Sequence, residues 1–127
     1  MEHFEGRIPD AIRFAKQNRI LLLIDDRKTS IDIALGGFSF EKNMIERSSE
    51  WGTPQRGTIT TCSAEDLIVL KAFADRPQDW IDVENVLIRQ GDRLDRDLVV
   101  QELEPLVALK EEPAILERLK TLFQKCS

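Results

Sequence analysis

Four charged residues near the middle of the chain have types and spacing suited to chemistry: Lys71, Arg76, Asp79 and Asp82. Lys71 interrupts an otherwise apolar stretch that includes Leu67, Leu70 and Phe73. Asp79 and Asp82 lie three residues apart, so on a helix they share a face. Two carboxylates on one face, opposite a lysine and an arginine, make an ion-pair network that ties two helices together. They equally make a phosphate and metal site. Spacing alone favours the network. Asp75, four residues after Lys71, offers a further solvated i,i+4 pair, which is weak in water.

Asp32 is a second candidate. It stands between Ile31 and Ile33 on an alternating segment, so its side chain points to the opposite face from theirs. The plain reading is a solvent-facing residue on a half-buried strand. The sharper one is a carboxylate aimed into a cleft, as a metal ligand or general base. Gly36-Gly37 follows at once. Such a pair lets backbone approach a phosphate, and more simply makes a turn.

The elements that position these residues are readable from periodicity. Pro9 opens a helix with Ala11, Ile12 and Ala15 on one side, ending at Gln17-Asn18. The run Arg19 to Ile24 suits a strand buried on both faces. Asp25 to Lys28 is a polar turn, and Ser30 to Leu35 alternates as a strand, so the two read as a hairpin. Phe38 to Arg47 reads as a short helix, Ser48 to Gly57 as a loop, and Thr58 to Cys62 as a third strand. Ser63 with Asp66 has the capping-box form, opening a helix that runs to about Asp75. Pro77 starts the next helix and Gly91 stops it. A third begins at Asp95 or Asp97 and a fourth at Pro113. A β-rich N-terminal half followed by a helical C-terminal half predicts an α+β fold, read as a single domain over residues 1–127.

Composition bounds the function. The chain has 127 residues, 18 basic against 23 acidic, for a net charge of −5. That balance argues against broad binding to the DNA backbone. A single histidine, His3, argues against zinc sites built on paired histidines and against a Ser-His-Asp triad. Cys62 and Cys126 form no CxxC pair and read as reduced thiols of a cytoplasmic protein. The start lacks the pattern of a signal peptide, and no apolar run is long enough to span a bilayer.

The run Ser63 to Lys71, then Arg76-Pro-Gln-Asp79-Trp-Ile-Asp82, resembles the C-terminal signature of bacterial nucleotidyltransferase-like proteins. These include the AbiEii-type toxins and small domains of the polymerase-beta superfamily. Ile31 to Gly36 resembles the segment carrying that family's third carboxylate, and the likeness spans about Ile8 to Leu87. It implies transfer of a nucleoside monophosphate from a nucleoside triphosphate to an acceptor hydroxyl, with Mg²⁺ held by carboxylates. Asp32 would then be the catalytic and metal-side carboxylate. Lys71 would neutralise the triphosphate, Asp79 and Asp82 would order the site, and Arg76 would support them.

The family's Gly-Ser loop and Asp-x-Asp pair have no counterpart in the 31 residues before Asp32. Asp25-Asp26 is adjacent rather than alternating. One carboxylate does not make a two-metal site. The expectation is therefore a truncated, catalytically incomplete domain, resembling the C-terminal part of such an enzyme, that binds a nucleotide or a partner. The alternative is an active, metal-dependent nucleotidyltransferase of toxin–antitoxin type, acting on an RNA or protein hydroxyl. Without the family's first strands, Ile20 to Ile24 is expected to be an open sheet edge, which predicts a homodimer or a covering partner.

Overall fold

The computed structural model describes residues 4–18, 20–34 and 38–126, and for 18, 20 and 34 the backbone alone. It is α+β. Five strands form two small sheets in the N-terminal half, and helices make up the C-terminal half. The chain divides into two compact units, residues 1–42 and 43–127.

The first unit holds β1 (Phe4–Gly6), α1 (Ala11–Asn18), β2 (Ile20–Asp25) and β3 (Ser30–Ala34). β2 is the middle strand of an antiparallel sheet, with β1 and β3 on either side. The expected open edge at Ile20 to Ile24 is therefore corrected. β1 pairs with Leu23 to Asp25, and the Arg7 amide extends that ladder by donating to the Leu22 carbonyl at 3.0 Å. The edges are β1 and β3. Burial also differs from expectation: Leu23 is buried, whereas Leu21, Leu22 and Ile24 are half-buried.

α1 lies against β2 through Ala11 and Ala15. A Cβ at Gly6 would come within 2.8 Å of the Ala11 Cβ, so the close approach of helix to sheet requires glycine there. Asp25 builds the β2–β3 turn. Its carboxylate accepts from the amides of Arg27 at 2.9 Å and Thr29 at 2.7 Å, which is the local turn chemistry aspartate favours. The predicted break at Gly36-Gly37 lies outside the described residues.

α2 (Ser39–Glu46) spans the boundary between the units. In the second unit, β4 (Ser49–Thr53) and β5 (Gly57–Thr61) form a separate antiparallel hairpin where the sequence suggested one strand and a loop. Trp51 sits directly opposite Ile59, and both are exposed. An added Cβ at Gly52, whose φ is 131°, would meet the Gly57 carbonyl oxygen at 2.3 Å. The crossing therefore tolerates no side chain.

The helices are α3 (Ala64–Ala74), α4 (Pro77–Gln90), α5 (Arg96–Lys110) and α6 (Ala114–Lys125). Their boundaries follow the capping residues. The Ser63 hydroxyl accepts from the Asp66 amide at 3.1 Å, and Asp95 accepts from the Leu98 amide at 3.0 Å. Apart from Glu65, Asp66 and Lys71, α3 is apolar; it contacts α4, α5 and α6 and buries Ile68, Val69 and Ala72 completely. Cations on α5 close two helix C-termini: Lys110 Nζ donates to the Phe73 carbonyl at 2.6 Å, and Arg96 to that of Phe123 at 2.7 Å. Trp80 is buried on α4. Its indole N–H donates to Asp75 at 2.7 Å, and the Arg118 guanidinium lies 4.6 Å from its ring centre.

Candidate functional site

The corner between α3 and α4 brings together four of the five residues singled out by the sequence. α3 ends because Asp75 adopts a left-handed conformation, φ 59° and ψ 32°. Arg76 is extended, and Pro77 occupies the first turn of α4, where its missing amide leaves no bond unmade. This reversal turns the α4 carboxylates back toward Lys71 on α3.

Lys71 Nζ lies 2.9 Å from Asp82 Oδ2 and 3.3 Å from Asp79 Oδ1. The Arg76 guanidinium donates to Asp79 through Nε at 2.6 Å and Nη2 at 3.3 Å. The Arg76 amide donates to Asp79 as well, at 3.3 Å, and Gln78 donates to Asp82 Oδ1 at 3.1 Å. Asp79 is therefore the hub, with a side chain only 2% exposed, whereas Lys71 is 32% exposed and Arg76 73%. The expected Lys71–Asp75 pair does not form. At the end of α3, Asp75 leaves the helical path and accepts from the Trp80 indole instead.

The electrostatics follow from these contacts. The Arg76 guanidinium, with Lys71 behind it, holds the Asp79 carboxyl below the ordinary range. Lys71, with Gln78, does the same for Asp82. The two carboxylates in turn hold Lys71 above the ordinary lysine range, Asp82 most strongly. Lowered carboxyls contribute stability that is present above about pH 4 and is lost as pH falls through their folded values. A raised lysine contributes stability that is present below about pH 10 and is lost as pH rises through its folded value. The corner is therefore fully charged between those limits. Asp82→Asn should flatten the acid side of the melting-temperature profile relative to the parent. Identical acid slopes for the two proteins would contradict the pairing.

Asp32 belongs to the first unit. It lies on β3 opposite Leu22 of β2, 63% exposed, and accepts from Arg7 Nη2 at 2.5 Å. Arg7 and Asp32 thus flank the middle strand of the sheet from either side. Among the described residues, no group of three or more histidine, cysteine, aspartate or glutamate side chains could hold a metal ion. Asp32 stands as a single carboxylate with an arginine partner, and that donor set does not fit a metal centre. No described helix is long and apolar enough to cross a membrane.

The residues do form a second charged cluster that sequence reasoning missed. Asp66 on α3 is completely buried and takes a two-pronged contact from Arg47, at 2.9 Å from Nε and 2.6 Å from Nη2. Arg47 also donates to Glu102 on α5 at 3.1 Å, and the Ser63 hydroxyl donates to Asp66 at 2.8 Å. Hydrogen bonds to the Asp66 carboxylate hold the Arg47 guanidinium still higher than an ordinary arginine. The capping-box pattern located Asp66, but its partner is 19 residues upstream, and no local spacing reveals it. The cluster is closed by its own contacts and serves to join elements.

Comparisons with family models, with curated proteins and with solved structures find no match for this chain.

Proposed function

We propose that the chain is a nucleotidyltransferase-like module that binds a nucleoside triphosphate at the α3–α4 corner without completing the transfer itself. The observation that carries this reading is a pair of solvent-reaching cations, Lys71 and Arg76, anchored side by side on one nearly buried carboxylate, Asp79. Two of the three Lys71 N–H donors are engaged by Asp79 and Asp82, which leaves one for an incoming anion. The outer edge of the Arg76 fork is likewise turned to solvent and suits phosphate oxygens. Asp79 and Asp82 fix the two cations, so little ordering is left to do on binding. Mg²⁺ then arrives chelated by the triphosphate rather than stored on the protein.

A second reading has its own support. The corner is charge-balanced, with two cations and two carboxylates, so it can serve as an ion-pair strut between α3 and α4. Titration calorimetry with Mg²⁺ and each of the four nucleoside triphosphates separates the two. The binding module predicts saturable heat that Lys71→Met weakens at least about tenfold, a typical effect of losing a charged contact to phosphate. Asp32→Asn serves as the control outside this unit. Absence of heat with all four nucleotides leaves the strut.

A further inference from the structure

A groove runs along the corner where α5 gives way to α6. Its floor is apolar, made of Val107, Ala108, Pro113 and Leu116, and its rim carries Glu104, Glu111 and Glu117. Its volume is about 530 Å³. Glu104 lies on α5 and Glu111, seven residues on, is the left-handed residue that caps it, so their Cα atoms are roughly 10 Å apart along the helix axis. Val107 and Ala108 fall between them on the same side, at the three- and four-residue steps.

The rim is short of cations. From Glu104 to Glu117 the chain has four acidic residues, Glu104, Glu111, Glu112 and Glu117, and one basic residue, Lys110, for a local charge of −3. Lys110 is committed elsewhere, donating to the Phe73 carbonyl at 2.6 Å. Among the described residues Glu104 and Glu111 have no salt-bridge partner, and Glu117 has only a 4.0 Å contact with Lys120.

We propose that this groove docks a cationic amphipathic helix supplied by a protein partner. An apolar floor bounded by unpaired carboxylates two turns apart matches a helix with lysine or arginine at i and i+7 and apolar anchors between them. The same rim repels polyphosphates, nucleic acid and anionic lipid. The chain's own basic helix α1 does not match, because Arg13 and Lys16 are only one turn apart. The groove is separate from the α3–α4 corner and does not depend on nucleotide binding.

The probe is a fluorescein-labelled four-turn Leu/Lys peptide with leucines on one face, titrated against the full chain and followed by anisotropy. A scrambled peptide of the same composition is the comparison. The proposal expects saturable binding of the amphipathic peptide, and at least about tenfold weaker binding of the scramble. Glu104→Gln with Glu111→Gln should lose about tenfold, the combined effect of two rim ion pairs. Ala108→Arg, on the exposed part of the floor, should lose binding while circular dichroism and melting stay at parental values. The proposal is overturned by equal binding of the two peptides, by undiminished binding to the double glutamine variant, or by no binding of the amphipathic peptide.

Discussion

Replacing Arg47 by methionine should lower the unfolding free energy by about 3–5 kcal/mol, the usual effect of leaving a buried charge without its partner. Asp66 has no route to solvent in the folded state. Its remaining side-chain partner is the Ser63 hydroxyl in the same first turn of α3, a neutral donor that cannot offset a full charge. Glu102, also held by Arg47, loses its cation in the same step. Against a domain stability of about 5–15 kcal/mol, that loss brings the protein close to its unfolding threshold. The variant should therefore melt far below the parent and unfold at much lower urea. The decisive comparison is the double variant Arg47→Met with Asp66→Asn. Removing the stranded charge should restore more than half of the lost stability, because most of the penalty is desolvation of an unpaired carboxylate. If the two substitutions are simply additive, Asp66 does not depend on Arg47 in the way the geometry implies.

Ile68→Ala should cost about 2–5 kcal/mol, against about 0.5–1.5 kcal/mol for Ile68→Val. Ile68 is completely buried on α3, which packs against α4, α5 and α6, so the cavity it leaves cannot close by the movement of a single neighbour. The same helix holds Lys71 and Asp66 at fixed positions, and a loosened α3 should disturb both charged clusters. Equilibrium urea unfolding measures the two variants directly. A loss below that of Ile68→Val would mean that α3 is not the centre of the core.

Much of the helical unit was legible in the sequence because its signals are local. Ser63 with Asp66, Pro77, Gly91 and Asp95 each act within one turn, and each marks a boundary the structure keeps. The β2–β3 hairpin was legible for the same reason, with a continuous apolar run, a charged turn and an alternating strand in succession. What escaped was non-local. β1 has three residues and no periodicity, yet it converts β2 from an edge into a middle strand. β4 contains Gly52, whose conformation is favoured only for glycine, and its composition reads as loop until it meets β5.

The candidate corner was legible as a set but not as a wiring diagram. The spacing of Asp79 and Asp82 correctly placed them on one helix face near Lys71. It also offered the lysine a weak i,i+4 pair with Asp75, because sequence distance was the only available measure. The left-handed residue at the helix end reversed that preference by sending Asp75 to Trp80 and turning α4 toward Lys71. A boundary residue of unusual conformation thus decided which charges meet.

The two tryptophans give the protein a built-in optical gauge. Trp51, on the exposed hairpin, emits from water at long wavelength, within reach of iodide or acrylamide. Trp80 emits from a dry setting under a guanidinium, blue-shifted and shielded from quenchers. A single fluorescence spectrum therefore contains separate channels for the β4–β5 hairpin and the helical core, with no label attached.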